Sequence, residues 1–213
     1  MHTFKANGKL TGMLKLVPNI LTLGRLILTV IFLIMILRLP FAADKIPFLD
    51  ITFAVFLIAG LTDIFDGPIA RKLNVTSKFG RMMDPLADKF FVCGAFICFA
   101  IVGEPKVFGL GPAVMNLIRW SVAGIIILRE IYVTALRHTA EAKGINFAAT
   151  FSGKIKMFLQ SVAIGAVILK AARLNYSGWP DWVTAASFIA MLTVTVASGV
   201  RATQRKSWRQ TIS

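Results

Sequence analysis

The stretch LTDIFDGPIARKLNVTSKFGRMMDPLADKF, Leu61 to Phe90, carries four of the ten acidic residues of a 213-residue chain. Apolar runs flank it, Phe48 to Leu61 on one side and Phe90 to Val102 on the other. A helix that crosses a bilayer needs ~20 largely apolar residues, so neither run reaches across unless it continues into the quoted segment. That continuation puts Asp63 and Asp66 at the end of one helix and Asp84 and Asp88 at the start of the next, all near a membrane interface.

The rest of the chain agrees with a membrane setting. Hydrophobic residues make up 56% and mean hydropathy is +0.73, above the ~45–50% apolar content of soluble domains. Four further apolar runs, Ile20 to Leu37, Ala113 to Ala135, Met157 to Leu169 and Val183 to Val200, bring the total to six. The expected fold is an all-α integral membrane protein: a single membrane domain over 1–213, with six transmembrane helices spanning about residues 18–202. Residues 1–17, MHTFKANGKLTGMLKLV, mix Lys with Phe, Leu and Met and predict a short interfacial amphipathic helix ended by Pro18. Residues 203–213 form a basic tail. The first apolar run is longer than the core of a signal peptide and holds Arg25, so it reads as a retained helix. Cys93 and Cys98 fall in one apolar run without metal-ligand spacing and read as small buried residues, neither disulfide nor zinc site.

A net charge of +14 would suggest nucleic acid as a partner if it were spread over a soluble surface. Instead, fifteen of the 24 basic residues fall at the termini and in alternate loops: Lys5, Lys9, Lys15; Arg71, Lys72, Lys78, Arg81; Arg137, Lys143, Lys154, Lys156; Arg201, Arg205, Lys206, Arg209. Five, Arg38, Lys45, Lys106, Lys170 and Arg173, lie on the opposite side. The positive-inside rule therefore puts both termini and the aspartate loop in the cytoplasm. The surplus reflects topology and attraction to anionic lipid or phosphorylated substrates, and no nucleic acid is expected. The polar segment Arg137 to Lys156 reads as a loop over the cytoplasmic mouth.

Residues three or four apart share a helix face, so Asp63 pairs with Asp66 and Asp84 with Asp88. Such carboxylates repel unless cations neutralise them, and hard oxygen ligands suit Mg2+ or Mn2+. The bland alternative is four solvated carboxylates balanced by Arg71, Lys72, Lys78, Arg81 and Lys89. Two face-sharing pairs at the ends of spans favour a functional site instead. Gly67 and Ala70 keep that face low enough for a planar or phosphorylated ligand, and Gly80 sits one turn before Asp84. Metals beside a small-walled groove with a cationic rim suggest a pyrophosphate substrate undergoing in-line displacement.

Asp63, Asp66, Gly67, Ala70, Arg71, Gly80, Asp84 and Asp88 resemble the signature D-x-x-D-G-x-x-A-R-x8-G-x-x-x-D-x-x-x-D of the CDP-alcohol phosphotransferase family, with all eight fixed positions filled. The resemblance implies a six-helix membrane enzyme, a homodimer, that moves a phosphate-linked group from a CDP-linked donor to an alcohol and releases CMP. It implies two divalent ions, Mg2+ or Mn2+, held by Asp63, Asp66, Asp84 and Asp88, with Asp88 chiefly the base that deprotonates the attacking hydroxyl. Asp63, Gly67, Ala70 and Gly80 would also border the donor, and Arg71 would stand near its diphosphate.

Other segments must choose the alcohol. Asn19, Thr22 and Arg25 recur at i, i+3, i+6 on the first helix, either as polar packing within a bundle or as contacts to the CDP donor. Arg129 lies inside an apolar span beside Glu130, where a structural ion pair and a ligand site are both open readings. Arg137 is eight residues on, within about 80° at ~100° per residue. With Lys154 and Lys156 the two arginines would form an anion pocket. Arg129, Glu130, Thr134, Leu136, Arg137, then Gly153, Lys154, Lys156 and Gln160 are similar to the R-E-x-x-x-T/S-x-L-R and G-K-x-K-T-x-x-Q runs of bacterial phosphatidylglycerophosphate synthases, with Met157 replacing the usual threonine. The partners so implied are CDP-diacylglycerol, sn-glycerol 3-phosphate and membrane lipid, and the implied location is the bacterial inner membrane with a cytoplasmic active site. Alternatives are a cardiolipin synthase of the CDP-alcohol type, an inositol-phosphate acceptor enzyme, or, outside this chemistry, a cation transporter using intramembrane carboxylates.

Overall fold

Six helices dominate the computed structural model, which describes residues 22–72, 78–143, 151–174 and 178–204. Helix α1 covers 22–38 and closes in a 3-10 turn, Leu39–Phe41. It is followed by α2 (Lys45–Lys72), α3 (Lys78–Val102), α4 (Pro112–Ala142), α5 (Phe151–Arg173) and α6 (Trp179–Thr203). No strand occurs among the described residues. The interfacial helix expected over 1–17 and the tail from residue 205 lie outside them.

Each apolar run after the first lies within a longer helix. The second run extends through the aspartate segment to Lys72 and the third begins back at Lys78, as bilayer thickness demands. Four stretches are long and apolar enough to cross a membrane: Thr22–Phe41, Lys45–Thr62, Ile155–Arg173 and Trp179–Thr203. Helices α3 and α4, with 25 and 31 residues, are about 37 and 46 Å long at ~1.5 Å per residue, which by length alone exceeds the ~30 Å of a bilayer's hydrocarbon core. The segment expected as a mouth-covering loop is shorter than its polarity suggested. Helix α4 continues to Ala142 and α5 starts at Phe151, because Ala, Leu, Arg and Glu are good helix formers whatever their polarity.

Local chemistry sets the helix ends. Gly103, at φ +85°, follows α3, and the amides of Gly103 and Glu104 both donate to the Phe99 carbonyl at 2.9 and 3.0 Å. This closes the carbonyl end with a left-handed residue that only glycine adopts cheaply. Helix α6 carries proline in its first turn, with Asp181 beside it, both favourable at a helix start. Hydroxyls within the apolar helices satisfy themselves: Thr52, Thr62, Thr193 and Ser161 each donate to the carbonyl four residues back.

Contacts divide the chain into two compact units, Met1–Gly94 and Ala95–Ser213. In the first, α1 buries Thr22, Arg25, Thr29, Phe32, Ile36 and Leu39, one face at three- and four-residue spacing. Phe32 is fully buried between Phe56 of α2 and Phe91 of α3, at centroid distances of 5.7 and 5.3 Å. Gly94 lets Leu33 lie on the α3 backbone, where an added Cβ would come within 2.7 Å of Leu33 Cδ1. The opposite face, with Leu23, Ile27 and Ile34, is exposed and suits lipid.

In the second unit α6 packs on α5 and α4, around Ile126, Ile164, Val167, Ile168 and Met191. Lys170 and Asp181, which the sequence reading did not join, form a buried ion pair at 2.7 Å. The other oxygen of Asp181 accepts the Phe108 amide at 2.8 Å. The pair thus ties the end of α5, the start of α6 and the α3–α4 connection together. Asp181→Ala strands a buried ammonium, a change that costs about 3–5 kcal/mol. The expected result is a clear drop in the thermal unfolding midpoint in detergent, with much of it recovered in Lys170→Met/Asp181→Leu.

Candidate active site

The aspartate segment is helical on both sides of residues 73–77, which lie outside the described residues. Asp63, Asp66, Gly67, Ala70 and Arg71 belong to the last turns of α2, and Gly80 and Asp84 to the first turns of α3. Their helical register keeps Asp63 with Asp66, and Asp84 with Asp88, on common faces. The side chains of residues 63–85, like Asn19 as a whole, lie outside the described residues. A set made wholly of carboxylate oxygens fits a hard divalent cation and suits soft metals poorly.

Asp88 is the aspartate whose side chain is described, and it meets another of the predicted site residues. Arg25 Nη1 lies 3.1 Å from Asp88 Oδ1, with the arginine side chain 5% exposed and the aspartate 32% exposed. Thr22 is buried one turn before Arg25 on the same face of α1. The polar stripe of the first helix is therefore turned inward, and its arginine engages an acidic residue of the signature. Thr29, also buried, extends the stripe by another turn, which its spacing would have shown.

A second polar cluster lies in the unit formed by Ala95–Ser213. Glu130 Oε1 receives both Arg129 Nη1, at 3.0 Å, and the ammonium of Lys156 from α5. Arg129 Nη2 donates to Ser198 Oγ of α6 at 2.8 Å. The structural ion pair weighed for Arg129 is formed, and Lys156 joins it, so the two expected phosphate ligands share one carboxylate. Arg137 is half-buried on α4, and the side chain of Lys154 lies outside the described residues. Met157, the departure from the family pattern, is exposed, whereas its neighbour Lys156 is buried. The substitution therefore lies off the helix face on which Lys156 is buried.

Charge and hydrogen bonding are unbalanced in this cluster in the same sense. Among the described residues two cations, Arg129 and Lys156, share the one carboxylate of Glu130, and Arg137 lies about two turns beyond Arg129 on α4. Arg129 Nε, Arg137 Nε and Gln160 Nε2 are buried and find no hydrogen-bond partner among the described residues. Buried donors without acceptors are costly, and an anion with several oxygens would satisfy them. Ser198 and Gln160 are the participants to which the sequence reading gave no role. Gln160 was visible at i+4 from Lys156, but nothing in the sequence marked Ser198.

Comparison with known proteins points the same way. The sequence model of the family described as CDP-alcohol phosphatidyltransferase matches residues 15–200. A CDP-diacylglycerol–glycerol-3-phosphate 3-phosphatidyltransferase of Bacillus subtilis (strain 168) is 40% identical over 159 residues, covering 71% of this chain and 76% of its own. A probable phosphatidylglycerophosphate synthase of Mycobacterium tuberculosis (strain H37Rv) is 32% identical over 166 residues, 76% of this chain and 71% of its own. A CDP-diacylglycerol–glycerol-3-phosphate 3-phosphatidyltransferase of Haemophilus influenzae is 36% identical over 155 residues, 71% of this chain and 75% of its own.

Glu130→Gln tests the excess of positive charge. Loss of the shared carboxylate leaves Arg129 and Lys156 without their counter-charge, a cost on the order of 3 kcal/mol, so the unfolding midpoint falls in phosphate-free buffer. Millimolar inorganic phosphate then raises the midpoint more in the variant than in the parent protein. No shift in either protein would show that these cations take no anion.

Proposed function

The chain belongs to the CDP-alcohol phosphatidyltransferase family, and from that membership we propose that it transfers the phosphatidyl group of CDP-diacylglycerol to sn-glycerol 3-phosphate, forming phosphatidylglycerophosphate and releasing CMP. The acceptor assignment is supported by Arg129 and Lys156 meeting at one carboxylate, and by the buried Nε donors of Arg129 and Arg137, which find no partner among the described residues. A phosphomonoester supplies the charge and the oxygens that this cluster lacks. The names of the relatives, matched over about seven-tenths of the chain, support the same substrates.

In this reading Asp88 accepts the proton of the acceptor's primary hydroxyl, and the freed oxygen attacks the phosphorus that bears diacylglycerol. The bond from that phosphorus to the bridging oxygen breaks, and the electron pair leaves with CMP. Arg25 holds one carboxylate oxygen of Asp88 and so fixes the orientation of the base. Asn19, Thr22, Gly67, Ala70, Arg71 and Gly80 are assigned to the CDP donor. Arg129, Arg137, Lys154 and Lys156 are assigned to the acceptor's phosphate and reduce the entropy cost of aligning its hydroxyl.

Members of the family generally depend on a divalent metal. We assign Asp63, Asp66, Asp84 and Asp88 as ligands of two ions, Mg2+ or Mn2+, which when bound neutralise charge on the diphosphate as it is cleaved. The same reading makes the chain one membrane domain of six spans, homodimeric, in a bacterial cytoplasmic membrane with both termini and the active site cytoplasmic. The distribution of Lys and Arg supports that orientation.

Purified protein in mixed micelles is expected to release CMP from CDP-diacylglycerol only when sn-glycerol 3-phosphate and a divalent metal are present, and to stop on chelation. Asp88→Asn is expected to lower kcat by about 10^2 to 10^4, the usual worth of a general base. CMP release with phosphatidylglycerol or an inositol phosphate, and none with sn-glycerol 3-phosphate, would overturn the acceptor assignment. Cation flux without CMP release would overturn the enzyme itself.

A further inference from the structure

Arg129 is held at two places. Its Nη1 is bound to Glu130 at 3.0 Å, a neighbour on its own helix, and its Nη2 to Ser198 Oγ at 2.8 Å, a residue 69 positions away on α6. The Ser198 hydroxyl is itself committed, because it donates to the Thr195 carbonyl at 2.8 Å. A hydroxyl with its proton occupied can only accept from the guanidinium, so the contact has one polarity and one geometry. The aliphatic stem of Arg129 lies along the α6 backbone at Gly199, where an added Cβ would meet Arg129 Cγ at 3.5 Å. A planar fork fixed at both terminal nitrogens cannot swing about its stem, and its Nε is the buried donor without a partner among the described residues.

We propose that Ser198 is a positioning residue for the acceptor's phosphate: it fixes the guanidinium plane of Arg129 so that Nε and the remaining terminal hydrogens are presented together to the anion. The inference rests on Arg129 being a phosphate ligand, as in the function proposed above. It brings α6 into an anion site otherwise drawn from α4 and α5. A free arginine side chain loses rotamer entropy when it is immobilised. Here that loss is met on folding, so it does not weaken binding of the acceptor.

The test is steady-state kinetics with each substrate varied in turn, on the full chain in mixed micelles. Ser198→Ala is expected to raise KM for sn-glycerol 3-phosphate about tenfold, equivalent to about 1.4 kcal/mol, while KM for CDP-diacylglycerol changes less than about twofold. Ser198→Thr, which keeps the hydroxyl, restores acceptor KM to within about threefold. An unchanged acceptor KM in Ser198→Ala overturns the proposal. So does a loss spread equally over both substrates, or a failure of Ser198→Thr to restore the acceptor KM. If Ser198→Ala does not fold, Ser198→Cys is measured against the same criteria, since a thiol fills the space but accepts poorly. The parallel measurement is the rise in unfolding midpoint produced by inorganic phosphate, expected to be smaller in Ser198→Ala than in the parent. That readout needs no turnover. If the parent protein uses a different acceptor, the proposed function fails, and the phosphate shift alone still decides for or against Ser198.

Discussion

A charge inside an apolar helix must find a counter-charge, because hydrocarbon offers it no water. This constraint organises the described part of the protein. Arg25 of α1 meets Asp88 of α3, Arg129 and Lys156 of α4 and α5 meet at Glu130, and Lys170 of α5 meets Asp181 of α6. The last of these closes one end of the second unit, with one oxygen of Asp181 against Lys170 and the other accepting the Phe108 amide. The cluster at Glu130 is different: among the described residues two cations share one carboxylate, and the Nε of Arg129 finds no partner. A buried ion pair that balances is a structural tie. One that does not balance invites an anion, which is why the functional reading rests on the second and not the first.

Around these polar ties the helices pack without help from the hydrophobic effect, since lipid is as apolar as a leucine side chain. Contact dispersion and close approach do the work. Phe32, Phe56 and Phe91 fill the centre of the first unit, and Gly94 and Gly199 bring Leu33 and Arg129 down onto neighbouring backbone. Threonine and serine hydroxyls that turn back to their own helix add polarity at no cost in unsatisfied groups. The lipid-facing residues then need only be apolar, and Leu23, Ile27, Leu128 and Ile189 are exposed accordingly.

Much of the candidate site was legible because it is local. Asp63, Asp66, Gly67, Ala70, Arg71, Gly80, Asp84 and Asp88 form a pattern within two adjacent helices, and helical spacing alone puts the aspartates in pairs. The stripe of Thr22 and Arg25 was legible for the same reason, and it does turn inward. Ser198 was not legible, since a serine in an apolar helix is ordinarily satisfied by its own backbone, as Ser161 is. Lys170 counted only among the basic residues of the side opposite the aspartates, and nothing in the spacing joined it to Asp181. The polar stretch after Arg137 misled in the other direction, because polarity marks exposure to water and does not by itself interrupt a helix.

The amino-acid sequence by itself determined the element type, the number and rough extent of the helices, and the family signature. All of these depend on length, periodicity and spacing along one chain. Only the tertiary structure decided what each buried charge is paired with: that Arg25 meets Asp88, that one carboxylate serves both Arg129 and Lys156, and that Ser198 accepts from Arg129. Pairing depends on which helix faces bury against each other. A charge in hydrocarbon needs some partner, and its position in the sequence does not say which.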